Sequence, residues 1–161
     1  MSKKPDEEGR VVTLEELVAR AEELKEYAGA LQSALNTYLT QYAELQLVLD
    51  TLRNLPQGET QIYVLLNRLG SAMVPAVVKD GWDKNVIVNL GLNYYAKASR
   101  DQGISLLEKR LQAVKRIVDK LQRDYKSVVE EYSYIQQILS QVFAQLQSRQ
   151  AGSAGGGSGS R

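Results

Sequence analysis

Residues 104–146 read ISLLEKRLQAVKRIVDKLQRDYKSVVEEYSYIQQILSQVFAQL. Within them Ile104, Leu107, Leu111, Val114, Val118, Leu121, Tyr125, Val128, Tyr132, Ile135, Leu139, Val142 and Leu146 follow at alternating spacings of three and four without a break. Such a seam drifts by about 20° per heptad around a straight helix, so it stays against a partner only if two helices supercoil. The stretch therefore predicts one helix of a coiled coil. Ser99 with Gln102 predicts the capping box that opens it, and the helix is expected over 99–149.

A partner seam lies toward the N-terminus. Leu14, Leu17, Ala21, Leu24, Ala28, Leu31, Leu35, Tyr38, Tyr42, Leu45, Leu49 and Leu52 keep the same step. Thr13 with Glu16 forms a second capping box, while Asn54, Pro56 and Gly58 end the pattern, which predicts a helix over 13–54. Residues 1–58 carry 6 basic and 10 acidic side chains, and 99–161 carry 10 basic and 6 acidic. Opposite charge beside two seams of similar length predicts that they pair with each other, antiparallel. At about 1.5 Å per residue such helices are too long for a ball of this chain length, so an arm is expected.

Between the helices, 59–98 changes period. Thr60 to Leu66, Ala72 to Lys79 and Asn85 to Leu90 are rich in Val, Ile, Leu and Tyr, with alternation in Ile62, Val64, Leu66 and in Val86, Val88, Leu90. Asp80-Gly81 is a hairpin-turn signal, Gly70 and Gly91 suit turns or bulges, and Pro75 belongs on an edge. One or two β-hairpins are expected. Hairpins this small are marginal alone and expose unpaired edges, which predicts pairing with other chains, with closure into an intersubunit β-barrel removing the edges. The fold class is α+β, mainly α: a long antiparallel two-helix coiled coil with one or two hairpins inserted. Ile62, Val64, Leu66, Val86, Val88 and Leu90 are the expected subunit-assembly residues.

The chain has 161 residues, 20 Lys plus Arg against 19 Asp plus Glu, and neither Cys nor His. That composition excludes thiol nucleophiles, imidazole bases and the usual zinc and haem ligand sets. No phosphate loop, dinucleotide fingerprint or calcium loop is found. Carboxylate pairs such as Glu15 with Glu16, Glu22 with Glu23, and Glu130 with Glu131 fall on exposed helix faces, where nothing tunes them for acid or base work. The expectations are no catalysis, no metal and no cofactor. The basic run Lys109, Arg110, Lys115, Arg116, Lys120, Arg123 and Lys126 is interleaved with Glu108, Asp119 and Asp124 and is read as a coiled-coil flank, so no nucleic-acid partner is expected. No apolar run reaches the roughly 20 residues that span a bilayer. The charged start does not resemble a signal peptide, so a cytoplasmic protein without a membrane partner is expected. Residues 1–10 are read as a disordered start and 150–161 as a flexible Gly/Ser tail.

One stretch does suggest a function. From Tyr132 to Ser148, 17 residues carry no charge. Ile138 and Phe143 add apolar surface off the seam, and antiparallel pairing brings Val11, Val12 and Val18 alongside. With the last seam members Leu14, Val142 and Leu146 they form an apolar tip rimmed by Glu15, Glu16, Glu22 and Glu23, and such a patch marks an interaction site. A spacer or tether oligomerised through its hairpins is the alternative, and it does not need a neutral tip.

The order helix, hairpins, helix, the run Val86-Ile87-Val88-Asn89-Leu90-Gly91-Leu92-Asn93-Tyr94-Tyr95-Ala96-Lys97, and Leu106-Leu107-Glu108-Lys109-Arg110 after it resemble the alpha class of the archaeal prefoldin family over about 11–149. That family commonly has Gly-x-Gly where this chain has Gly91-Leu92-Asn93. The resemblance implies a single domain over 11–149 and a hexamer of two alpha and four beta subunits with a β-barrel platform. It further implies an ATP-independent holdase that captures unfolded client proteins at the coiled-coil tips and passes them to a group II chaperonin.

Overall fold

A computed structural model describes residues 12–154, with side chains for 12–149. The chain runs α1 (Leu14–Asn54), β1 (Thr60–Leu65), β2 (Met73–Val78), a short 3-10 turn (Trp82–Lys84), β3 (Val86–Gly91), β4 (Tyr94–Ala98) and α2 (Arg100–Ala154). It is mainly helical, with two antiparallel hairpins between the helices. The expected disordered start, Val11 and the tail beyond Ala154 lie outside the described residues. The helix expected to end at Arg149 continues to Ala154.

Both helix starts follow from side chains three residues apart. Thr13 N–H donates to Glu16 Oε2 at 2.9 Å and Glu16 N–H donates back to Thr13 Oγ1 at 3.2 Å. Ser99 N–H likewise donates to Gln102 Oε1, and Gln102 N–H to Ser99 Oγ. Each reciprocal pair satisfies donors that the first helical turn leaves open.

Two compact units are present. One joins α1 up to Asn36 with α2 from Asp119 onward. Its core buries Ala21, Leu24 and Leu31 with Val128, Ile135 and Leu139, and Leu14, Leu17, Ala28, Leu121, Tyr125 and Tyr132 pack around them. All are seam positions. Val18 and Glu22 share a groove with Gln136 and Leu139, whereas Tyr27 shares one with Val128, so the helices run antiparallel.

The other unit spans Thr37 to Val118 and holds both hairpins. Its core is Leu49, Leu107 and Val88, supported by Leu45, Leu52, Ile104, Leu111 and Val86. Leu49 is only 1% exposed. Gly103 explains how a strand approaches α2 so closely, because a Cβ there would stand 3.3 Å from Val88 Cγ2 and 3.6 Å from Val86 Cγ1. Arg100 donates to the carbonyls of Leu52 and Arg53, which closes the C-terminal end of α1 with a cation.

In hairpin β1–β2, Thr60 faces Val78, Ile62 faces Ala76 and Leu65 faces Met73. In β3–β4, Val86 faces Ala98 and Val88 faces Ala96, with a register shift between Asn89 and Gly91. Asp80-Gly81 is not a hairpin turn, because β2 and β3 do not pair. Gly81, at φ 75°, instead opens the 3-10 turn, and the Trp82 indole N–H donates to the Pro56 carbonyl. β3 pairs with Tyr94–Ala98 across the two-residue turn Leu92-Asn93, a shorter loop to close; the second of the one or two expected hairpins thus takes its fourth strand from residues the sequence pattern did not name.

Leu92 and Asn93 have φ of 50° and 62°. A two-residue hairpin turn with both central φ positive suits Asn or Gly, whereas a leucine there is strained, and Leu92 is 92% exposed, so no burial offsets the strain. Two outcomes are expected in denaturant unfolding followed by circular dichroism. Leu49→Ala destabilises the chain by about 2 to 5 kcal/mol, since it leaves a cavity at the meeting point of helices and hairpin. Leu92→Asn stabilises it by about 1 kcal/mol through relief of the turn.

Candidate interaction surfaces

Two exposed apolar surfaces stand out, one in each unit. At the end of the helix pair where α1 begins, Val12, Val18, Phe143 and Leu146 are exposed, with Phe143 at 48%, and Tyr134 is exposed on the opposite side of α2 from Phe143. The seam members Leu14 and Val142 and the off-seam Ile138 are half-buried beside them. Of the residues expected at this end, only Val11 lies outside the described residues. Tyr134 was missed because it falls on the far face from the seam, although its place inside the uncharged run could have flagged it.

Grooves flank this end of the seam. One of about 230 Å³ is lined by Val18, Ala21, Glu22, Lys25, Tyr132, Gln136 and Leu139. Another of about 370 Å³ is lined by Arg20, Glu23, Leu24, Tyr27, Val128 and Glu131. Across the second, Arg20 donates through Nε and Nη2 to Glu131 Oε1 at 3.0 and 2.8 Å. That hydrogen bond, and then the charge of Glu131, raise the Arg20 pKa above its ordinary value.

In the second unit Arg53 donates to Glu108 at 2.6 Å. Both interhelical pairs take their cation from the acidic helix and their carboxylate from the basic one, the reverse of what net charge predicts. Exposed pairs of this kind add little stability, so they adjust alignment while the apolar seam holds the helices together.

The hairpins carry the second surface, and strand parity divides the residues expected there. Val88 is 5% exposed and Val86 packs beside it against Leu49 and Leu107, so both serve the core of their own chain. Alternation then turns Ile87 outward at 70% exposure, and Tyr95 and Lys97 of β4 share its face. Leu90, past the bulge, is exposed, while Ile62 is half-buried. Val64 and Leu66 are exposed, Leu66 lying in the turn after β1. Tyr63, Leu65, Met73 and Val77 add a second apolar face to β1–β2 that the sequence pattern did not single out. Period-two patterning shows that two faces exist, and it does not say which one a neighbouring helix covers. Each sheet has only two strands, so every strand is an edge.

Among the described residues no cluster of acidic side chains could hold a metal ion, and no helix is long and apolar enough to cross a membrane. The arrangement offers apolar faces and edges, the means of binding other chains.

Comparison with known proteins bears on what those chains are. Residues 24–145 match the Prefoldin family, described as prefoldin subunit. The prefoldin subunit alpha of Saccharolobus solfataricus is 29% identical over 143 residues, covering 88% of this chain and 95% of that protein. The prefoldin subunit alpha of Hyperthermus butylicus is 25% identical over 130 residues, covering 81% and 83%. A chain of the filamentous PFD from Methanocaldococcus jannaschii, solved by cryo-EM, aligns with a TM-score of 0.42 at 19% identity, over 80% of this chain and 96% of that one.

The parity of β3 makes a direct test. Val88→Asp places an uncompensated charge in the core and is expected to destabilise the chain by about 3 to 5 kcal/mol. Ile87→Asp, one residue away, is expected to change stability by no more than about 1 kcal/mol. Unfolding curves of the two purified variants compare them, and a larger loss for Ile87→Asp than for Val88→Asp would mean that β3 is inserted the other way round.

Proposed function

The chain belongs to the prefoldin family, and from that membership we propose that it is the alpha-type subunit of an ATP-independent holdase, which captures non-native proteins at the coiled-coil tips and delivers them to a group II chaperonin. Its partners are beta-type subunits, in a hexamer of two alpha and four beta. It acts in the cytoplasm, without cofactor and without catalysis. The observation that carries this reading is the exposure of Val12, Val18, Phe143 and Leu146 around a stretch of α2 that has no charge from Tyr132 to Ser148. A helix pair that only set a distance would have charged residues there, as it does elsewhere along α2.

Non-native chains differ from folded ones mainly in accessible apolar side chains, so a surface that recognises them generally is apolar and adaptable rather than shaped for one ligand. Each side chain fully covered on binding is worth about 1.5 to 3 kcal/mol, and several tips acting on one client add weak contacts through effective concentration. Assembly rests on the hairpins. Their free edges and the outward Tyr63, Leu65, Ile87 and Tyr95, with Val64, Leu66 and Leu90, support pairing with strands of neighbouring subunits into a barrel.

With a beta-type partner and no nucleotide, the complex is expected to slow the aggregation of an unfolding protein, read by light scattering. Phe143→Ser with Leu146→Ser is expected to weaken that protection several-fold, with the size of the complex in sedimentation and the helicity unchanged. Undiminished protection would move capture away from this end, and no protection by the unaltered complex would leave the spacer role.

A further inference from the structure

Resting on the reading that the hairpins join this chain to its neighbours, we propose that the free edge of β1 is where two copies of the chain meet, as an antiparallel pair of β1 strands centred on Tyr63. Every strand has one side without a partner, because each sheet holds only two. The edges of β2, β3 and β4 carry features that oppose pairing. β2 contains Pro75, β3 is irregular between Asn89 and Gly91 with its Asn89 carbonyl taken by Arg110, and β4 carries Lys97. β1 has no proline, no charge and no register shift.

Hydrogen-bond parity fixes which backbone groups the two edges of the first hairpin offer. The Leu66 N–H donates to the Ala72 carbonyl at 3.0 Å, and these residues continue the register in which Leu65 faces Met73. Directly opposed residues of an antiparallel ladder alternate between bonded and unbonded pairs. Leu66 with Ala72 is bonded, so Val64 with Val74 and Ile62 with Ala76 are bonded too, while Leu65 with Met73, Tyr63 with Pro75 and Gln61 with Val77 are not. The N–H and C=O groups of Gln61, Tyr63 and Leu65 therefore point away from β2, in an unbroken row of donors and acceptors. On the opposite edge the corresponding row is Met73, Pro75 and Val77, and its middle position has a ring where its neighbours have a donor. Pro75 thus costs its own hairpin no hydrogen bond and blunts the β2 edge, which leaves β1 open.

The occupant of such an edge is an extended strand, and the make-up of β1 points to a second β1. Its outward row is centred on Tyr63, so a two-fold axis at that residue sets Tyr63 opposite its own copy and Gln61 opposite Leu65. Every outward N–H and C=O then meets an outward group of the other chain, and each opposed pair exchanges both of its bonds. A strand without charge meets itself without repulsion. The same axis keeps the exposed Tyr63, Leu65, Met73 and Val77 of both copies on one face. Two hairpins that are marginal alone become a single wider sheet with an apolar side, bounded at each end by a β2 strand and its proline.

The chain has no cysteine, so a single Tyr63→Cys substitution reports which chain faces it. Opposed residues of a bonded pair have Cα atoms about 5.5 Å apart, within reach of a disulfide. In the complex of the full chain with a beta-type partner, mild oxidation is expected to link Tyr63→Cys copies to each other, whereas Met73→Cys or Val77→Cys copies stay unlinked. Tyr63→Pro removes an N–H that the hairpin does not use, so the helicity and unfolding of the chain are expected to stay as they are. Loss of that donor from both copies at the axis is expected to weaken their association about a hundred-fold, read by sedimentation over a dilution series. Linkage at 73 or 77 in place of 63, or undiminished association of Tyr63→Pro copies, overturns the inference. So does a photoreactive phenylalanine analogue at position 63 that labels the beta-type partner rather than a second copy. A full-sized complex without linkage at 63 overturns the choice of edge and leaves assembly by the hairpins standing. If the unaltered chain and its partner form no complex, that reading falls, and linkage at 63 in the chain alone still upholds the pairing while its absence overturns both.

Discussion

The burial of two apolar seams against each other is the interaction on which everything else in this chain depends. Each helix buries its seam against the other, and a two-stranded hairpin is marginal alone in water. Ala21, Leu24 and Leu31 bury with Val128, Ile135 and Leu139 in one unit, and Leu49 with Leu107 in the other. Each fully buried Leu, Ile or Val contributes about 1.5 to 3 kcal/mol, while the exposed ion pairs beside the seam contribute less than 1 kcal/mol apiece at most. Apolar periodicity therefore holds the helices in register, and charge trims their alignment. This hierarchy explains how the interhelical pairs can run against the net charge of the two helices without consequence for the fold.

The seam also sets what the hairpins can do. In the second unit Leu45, Leu49 and Leu52 of α1 and Ile104, Leu107 and Leu111 of α2 pack with Val88 of β3. Gly103 lets the strand come close to α2. Alternation does the rest: with Val86 and Val88 turned in, Ile87 has to point out, and the β4 partners Ala96 and Tyr95 divide in the same way. A single packing contact thus determines which face of the second hairpin is available to neighbouring chains.

Where α1 begins, the same seam ends. There Leu14 and Val142 are half-buried, while Leu146 at the end of the seam and the off-seam Val12, Val18 and Phe143 are exposed. A coiled coil normally surrounds its seam with charge, which keeps the ends soluble and fixes partner choice. Along α2 from Tyr132 to Ser148 this chain dispenses with it, while α1 retains carboxylates beside the grooves. Stability does not require that asymmetry.

Much of this was legible in the sequence, because the information is local or periodic. The capping boxes at Thr13 and Ser99 act over three residues, the seams repeat every three or four, and the neutral run is contiguous, so both helices, their pairing and the uncharged stretch of α2 could be read directly. Gly70 and Gly91 likewise declared themselves as turn and bulge positions through their backbone freedom. The role of Asp80-Gly81, the strand Tyr94–Ala98 and the choice of Val88 rather than Ile87 for the core were decided only in three dimensions. A strand of alternating apolar residues offers two nearly equivalent faces, and a glycine turn can serve a hairpin or a crossover equally well. What chooses between them is the one apolar surface the strand can reach, and here that surface is made by Leu49 and Leu107, residues distant in sequence that become neighbours only once the helices have paired.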